Sequence, residues 1–126
     1  MSKKDSHRKA LELLSLNPGI ISIDPKDVLT SSIEQAIYSS QGSLLTNIDL
    51  VFILKSHSRS YPIKAIIVEY KSNNSNRLSE KAENQLEKAV DFYQRNLKIP
   101  AEGRLITGDS YPALRKGKLS MKKVRL

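Results

Sequence analysis

An α/β fold, with a mixed central β-sheet flanked by helices, is predicted by three observations. Residues 44–54 (LLTNIDLVFIL) and 63–70 (IKAIIVEY) are nearly continuous apolar runs rich in β-branched side chains, and a short polar stretch joins them. Runs of that kind imply cover on both faces of the sheet. The segment that follows, residues 79–97, repeats its apolar positions at helical spacing. Strands followed by a strong amphipathic helix and a further strand call for a layered sheet-and-helix architecture.

Each element has its own justification. Residues 5–16 (DSHRKALELLSL) carry Ala10, Leu13 and Leu14 on one side, which predicts a short amphipathic helix. Asn17-Pro18-Gly19 ends it, and Ile20, Ile21 and Ile23 suggest a brief extended piece. A second helix is expected over 31–40, capped near Thr30 or Ser31, with Ile33, Ala36 and Ile37 inward and Gln41-Gly42 closing it. The two apolar runs then form a hairpin. The long helix has the stripe Ala82, Leu86, Ala89/Val90, Tyr93, Leu97, with Ser79 as cap and Asp91 four residues before Arg95. After Pro100, Arg104–Thr107 reads as a strand able to return parallel to the second hairpin strand, and Lys122–Leu126 as a further short one.

The chain of 126 residues is expected to form a single domain. Within it, 1–30 is an N-terminal helix and linker, 31–109 the core and 110–126 a basic C-terminal segment. Hydrophobic residues make up 39% and charged residues 27%, the balance of a soluble globular protein. The absence of cysteine excludes disulfides, zinc–thiolate sites and iron–sulfur clusters. No long apolar run suggests a signal peptide or membrane span, so a cytoplasmic location without membrane association is expected. The net charge of +8 points to an anionic partner, of which nucleic acid is the commonest. Lys116, Lys118, Lys122 and Lys123 lie in a C-terminal stretch free of acids, and Arg59 in the hairpin loop is a candidate phosphate contact. His57, in the same loop, is read as solvent-exposed.

The chemistry concentrates at one end of the hairpin. Glu69 and Lys71 stand two apart on a strand and so share a face. Antiparallel pairing brings the start of the first strand, with Asp49, beside the end of the second. Glu34 borders the preceding apolar stripe and is able to overhang the same end. Adjacent carboxylates resist ionising together. A divalent cation removes that penalty, and oxygen-only ligands favour Mg²⁺ or Mn²⁺. Such an ion activates water and stabilises charge on a phosphate, with a neighbouring lysine orienting the water. An ordinary salt-bridge cluster at a strand end is the alternative.

Asp49, then Glu69-x-Lys71 closing a hydrophobic strand, with a glutamate before and AENQLEKAVDFY after, resembles the PD-(D/E)xK nuclease superfamily. That superfamily includes restriction endonucleases, archaeal Holliday-junction resolvases and RecB-type nucleases. The resemblance implies a restriction-endonuclease-like αβββαβ core, its first strand short and near Ser43–Leu45. It also implies metal-dependent hydrolysis of DNA, selective for branched, flapped or single-stranded forms, by a chain that is often a homodimer. Asp49, Glu69 and the carbonyl of Tyr70 would be metal ligands, and Lys71 would position or activate water. Glu34 would hold the metal directly or through water, with Glu12 as its competitor, and Gln85 would steady the lysine or the DNA. Ile48 stands where the motif has proline. A catalytically silent nucleic-acid-binding module on the same fold is the other reading.

Overall fold

The computed structural model describes residues 3–56, 58, 60–71, 76–107 and 120–124, with the backbone alone for 3–6, 76–79 and 120–124. In chain order the elements are helix α1 (Lys3–Leu16), 3-10 turns at Pro18–Ile21 and Pro25–Asp27, strands β1 (Val28–Tyr38), β2 (Leu44–Lys55) and β3 (Pro62–Lys71), helix α2 (Asn76–Arg95), and strands β4 (Ala101–Thr107) and β5 (Ser120–Val124). The architecture is α/β, with one mixed sheet in the order β1-β2-β3-β4-β5. β1, β2 and β3 pair antiparallel, β3 and β4 parallel, and β4 and β5 antiparallel. The parallel pair is the one separated by a helix, because parallel neighbours need a long crossover that a hairpin turn cannot supply.

Alternation along β3 divides the core. Ile66, Val68 and Tyr70 pack with Ala10, Leu11 and Leu14 of α1, and with Ile21 and Ile23 just beyond it. Ala65 and Ile67 pack with Ala82, Leu86, Ala89, Val90 and Tyr93 of α2. β3 therefore needs apolar side chains on both faces, which explains its unbroken run. Fully buried side chains such as Phe52 and Leu86 each contribute roughly 1.5–3 kcal/mol. Among the described residues no helix is long and apolar enough to cross a membrane.

The hairpin, the long helix and the return strand lie where the sequence predicts them, with differences at the edges. α2 begins at Asn76, so Ser79 is inside the helix and does not cap it. Leu97 falls beyond its end and is exposed, while the rest of the stripe is buried. The Asp91–Arg95 pair forms at 2.7 Å. Ile20–Ile23 is not extended: Pro18–Ile21 is a 3-10 turn that buries Ile21.

The larger correction is at residues 31–40, expected as a helix: 31–38 are strand, and 39–40 lead into the turn that follows. Ile33, Ala36 and Ile37 imitate helical spacing, yet Ala36 is exposed and the two isoleucines enter opposite layers. Pairing of the whole segment with β2 decides the outcome, since tertiary pairing overrides a weak local preference. Gln41-Gly42 then serves a hairpin turn. The Ser39 hydroxyl accepts from the N–H groups of Gln41 and Ser43, and Gly42 adopts φ +86°, where glycine carries no steric penalty. The first strand is consequently β1, and of the segment Ser43–Leu45 the two leucines already belong to β2.

A buried ion network ties α1's layer to the sheet. Arg104 Nε donates to Glu102 Oε2 at 2.6 Å, Arg104 Nη1 donates to the Ile21 carbonyl at 2.6 Å, and Lys64 Nζ donates to Glu102 Oε1 at 3.3 Å. Burial alone would raise the Glu102 carboxyl, but hydrogen bonds and charge from Arg104 and Lys64 outweigh it and hold it below the usual range. A depressed carboxylate adds stability that is present above its unfolded value and lost as pH falls through the folded one. Removing one member of a buried pair strands the other. Arg104→Ala is therefore expected to lower unfolding free energy by about 3–5 kcal/mol. Arg95→Ala, which breaks the exposed pair with Asp91, should change it by less than about 1 kcal/mol. Urea denaturation of both variants checks the contrast.

Candidate functional site

Two hydrogen bonds from backbone N–H groups interlock the middle of β2, which carries Asp49, with the end of β3, which carries Glu69. β2 and β3 pair with Leu50 opposite Val68, so one step further along the register Asp49 meets Glu69. The Asp49 N–H donates to Glu69 Oε1 at 3.3 Å, and the Tyr70 N–H donates to Asp49 Oδ2 at 2.9 Å. From α1, His7 Nε2 reaches Asp49 Oδ1 at 3.3 Å, and its ring lies 5.9 Å from the Tyr70 ring.

β1 supplies the fourth side of the site. Ile33 pairs with Leu50 and Gln35 with Ile48, so Glu34 stands across from Asp49 in the register. Both strands change faces at this point. Ile33 and Leu50 belong to the α1 layer, whereas Ile37 and Ile48, of the same parity, belong to the α2 layer. Regular alternation forbids that change, because residues an even number apart share a face. Glu34 has φ +56°, a left-handed conformation that strains a side chain with a Cβ. Strain of this kind persists only where the surroundings over-determine it.

Electrostatics at the interlock are dominated by the burial of Glu69, with the neighbouring Asp49 carboxylate adding to its cost. Burial, and then the charge of Asp49, push the Glu69 carboxyl up to about 8, against a smaller opposing effect of Lys71. Glu69 is 3% exposed, so solvent relieves little of this. His7 is raised above the ordinary histidine value, chiefly by its hydrogen bond with Asp49 and in spite of burial. Lys71 opposes that rise and Glu34 adds to it, which places both charges within electrostatic reach of His7. Lys71 is half-buried at the end of β3. Arg8, next along α1, donates from Nη1 to Glu34 Oε2 at 2.7 Å and from Nε to Glu12 Oε1 at 3.2 Å.

Asp49, Glu69, Tyr70 and Lys71 thus lie together at the C-terminal end of β3, where its pairing with β2 stops, although Asp49 is in the middle of β2 and not near its start. Glu34 adjoins them, but from a strand and not a preceding helix. Both competing glutamates, Glu12 and Glu34, hold the same arginine. Gln85 lies on α2, its Oε1 buried and without a hydrogen-bond partner among the described residues. Lys122 and Lys123 fall in β5, in register with Leu105 and Arg104. Arg59, His57, Lys116 and Lys118 lie outside the described residues. Among the described residues, no three His, Asp or Glu side chains form a group placed to hold an ion.

His7 and Arg8 are the residues sequence reasoning missed. His7 precedes the buried Ala10 and Leu14 by three and seven positions, so it continues the buried stripe of α1. A histidine on that stripe was the available signal. Comparison with protein-family models, curated proteins and solved structures finds no match to the chain.

The raised groups give the site a definite pH signature. A group whose folded pKa lies above its unfolded value contributes stability at low pH that disappears as pH rises through the folded value. Glu69 and His7 share this sign, so the protein should lose stability between about pH 5 and about pH 9, by on the order of a few kcal/mol. Glu69→Gln removes the larger contribution, and its denaturation midpoints should be much flatter over that range. An equally steep decline in the variant would show that Glu69 is not the group responsible.

Proposed function

We propose that the chain is a Mg²⁺- or Mn²⁺-dependent nuclease of the PD-(D/E)xK type that hydrolyses DNA phosphodiesters. The observation that carries this reading is the Asp49–Glu69 interlock: a carboxyl driven towards neutrality by burial and then by its neighbour, beside a half-buried lysine. A divalent cation relieves that conflict, and the donors are the hard oxygens such an ion prefers. The succession of helix, three antiparallel strands, helix and parallel strand supports a restriction-endonuclease-like core.

Asp49 and Glu69 would hold the ion with the Tyr70 carbonyl, and His7 Nε2 stands close enough to Asp49 to join them. Glu34 would contribute once released by Arg8. Bound there, the ion would supply an activated water and stabilise negative charge on the phosphate. Lys71, at the strand end, would orient that water and offset developing charge. Gln85, with its unpartnered acceptor, steadies the lysine ammonium or the DNA. Arg59, Lys116, Lys118, Lys122 and Lys123 contact phosphates, consistent with the net charge of +8. The described fold offers few elements beyond the sheet and its two helices for reading sequence, so the domain selects branched, flapped or single-stranded DNA, acts in the cytoplasm and works as a homodimer.

One observation favours a second reading, a catalytically silent nucleic-acid-binding module. Both Asp49 carboxylate oxygens are already engaged, by His7 and by the Tyr70 N–H. Incubating a labelled panel of single-stranded, duplex, flap and four-way DNA with Mg²⁺ or Mn²⁺ separates the two. The nuclease reading expects cutting that EDTA abolishes and that Lys71→Ala lowers by about 100-fold or more. Tight DNA binding without cutting on any form would establish the silent module instead.

A further inference from the structure

We infer that Arg8 is a contact for a substrate phosphate, held in readiness by Glu34, whose carboxylate occupies the guanidinium until the phosphate displaces it. This rests on the nucleic-acid reading above and adds a residue pair that the motif does not contain. The first ground is position. Arg8 follows His7 on α1, and His7 touches Asp49, so Arg8 stands at the rim of the proposed site. The second is charge. An anionic backbone approaching Asp49 and Glu69 also meets Glu34 and Glu12, and the cations described nearby are Lys71, His7 and Arg8. Arg8 is the most exposed of these three, with 56% of its side chain open to solvent.

The third ground is the strained residue. Glu34 adopts φ +56° where the faces of β1 invert, and from that conformation its carboxylate meets Arg8 Nη1 at 2.7 Å. An exposed ion pair contributes little to folding, so stability alone is a weak reason to keep a strained glutamate there. Carboxylate and phosphate oxygens both fit the fork of a guanidinium, which makes one an exchangeable stand-in for the other. Exchange also frees the Glu34 carboxylate beside Asp49. Arrival of the substrate and release of that carboxylate become one event.

The test is binding of a labelled single-stranded oligodeoxynucleotide to the full chain in EDTA, followed by anisotropy at several salt concentrations. EDTA removes cleavage from the readout. Arg8→Gln should weaken binding about 3- to 10-fold and reduce the salt slope by about one. Glu34→Gln should tighten it by a similar factor. In the Arg8→Gln background, Glu34→Gln should add no more than Glu87→Gln, which removes one acid from the exposed face of α2. Equal tightening by Glu34→Gln with and without Arg8 would overturn the exchange, as would unchanged binding in Arg8→Gln, and either would leave the nucleic-acid reading standing. Failure of the unsubstituted chain to bind DNA would overturn both. Circular dichroism of each variant confirms that it is folded.

Discussion

Two carboxylates forced side by side at the buried end of a hairpin set the terms for the rest of the site. The register of β2 with β3 leaves Asp49 and Glu69 no choice of neighbour, and each takes a backbone N–H from the other's strand. With solvent excluded, the conflict is resolved by protonation, by His7, by Lys71 or by a cation. Everything nearby serves one of those outcomes. α1 packs so that its histidine reaches Asp49, and β1 twists so that Glu34 faces the same place.

The fold holds this arrangement from two directions. On the α2 side, Ile67 and Leu105 lie against Ala82, Leu86, Ala89 and Val90, and the sheet there is conventional. On the α1 side, apolar packing is joined by the Arg104–Glu102–Lys64 network, which grips the Ile21 carbonyl just after the helix. Ile21 and Ile23 then close the layer beneath His7 and Tyr70. A polar clamp inside a core is worth less for net stability than for fixing one geometry, because breaking it costs far more than forming it gains. Here that geometry is the seat of α1, and with it the position of His7.

The parts of the chain legible in the sequence are those with one uninterrupted period. Residues 44–54 and 63–70 are nearly continuous apolar runs, the stripe of α2 repeats cleanly, and antiparallel pairing of the two runs brings Asp49 beside Glu69 and Lys71. β1 was not legible as a strand because its period breaks at Glu34. Ile33 faces one layer and Ile37 the other, so no alternation survives across the segment, and polar Thr30, Ser31 and Ser32 resemble a helix cap. Glu102 and Arg104 were obscured for another reason. Their burial depends on Lys64 and on a carbonyl far away in sequence, a tertiary fact that local pattern does not carry. The same holds for Arg8, whose partner on β1 is visible only once that segment is paired with β2.

Relief of the Asp49–Glu69 conflict by a divalent cation, as proposed, is open to direct measurement. Its most direct test is calorimetric titration of the protein with Mn²⁺ near pH 7 in buffers of different ionisation enthalpy. Stoichiometric binding is expected, lost in Asp49→Ala and accompanied by release of protons as Glu69 gives up the one that burial and Asp49 hold on it. Absence of Mn²⁺ binding, or binding that persists in Asp49→Ala, would contradict it.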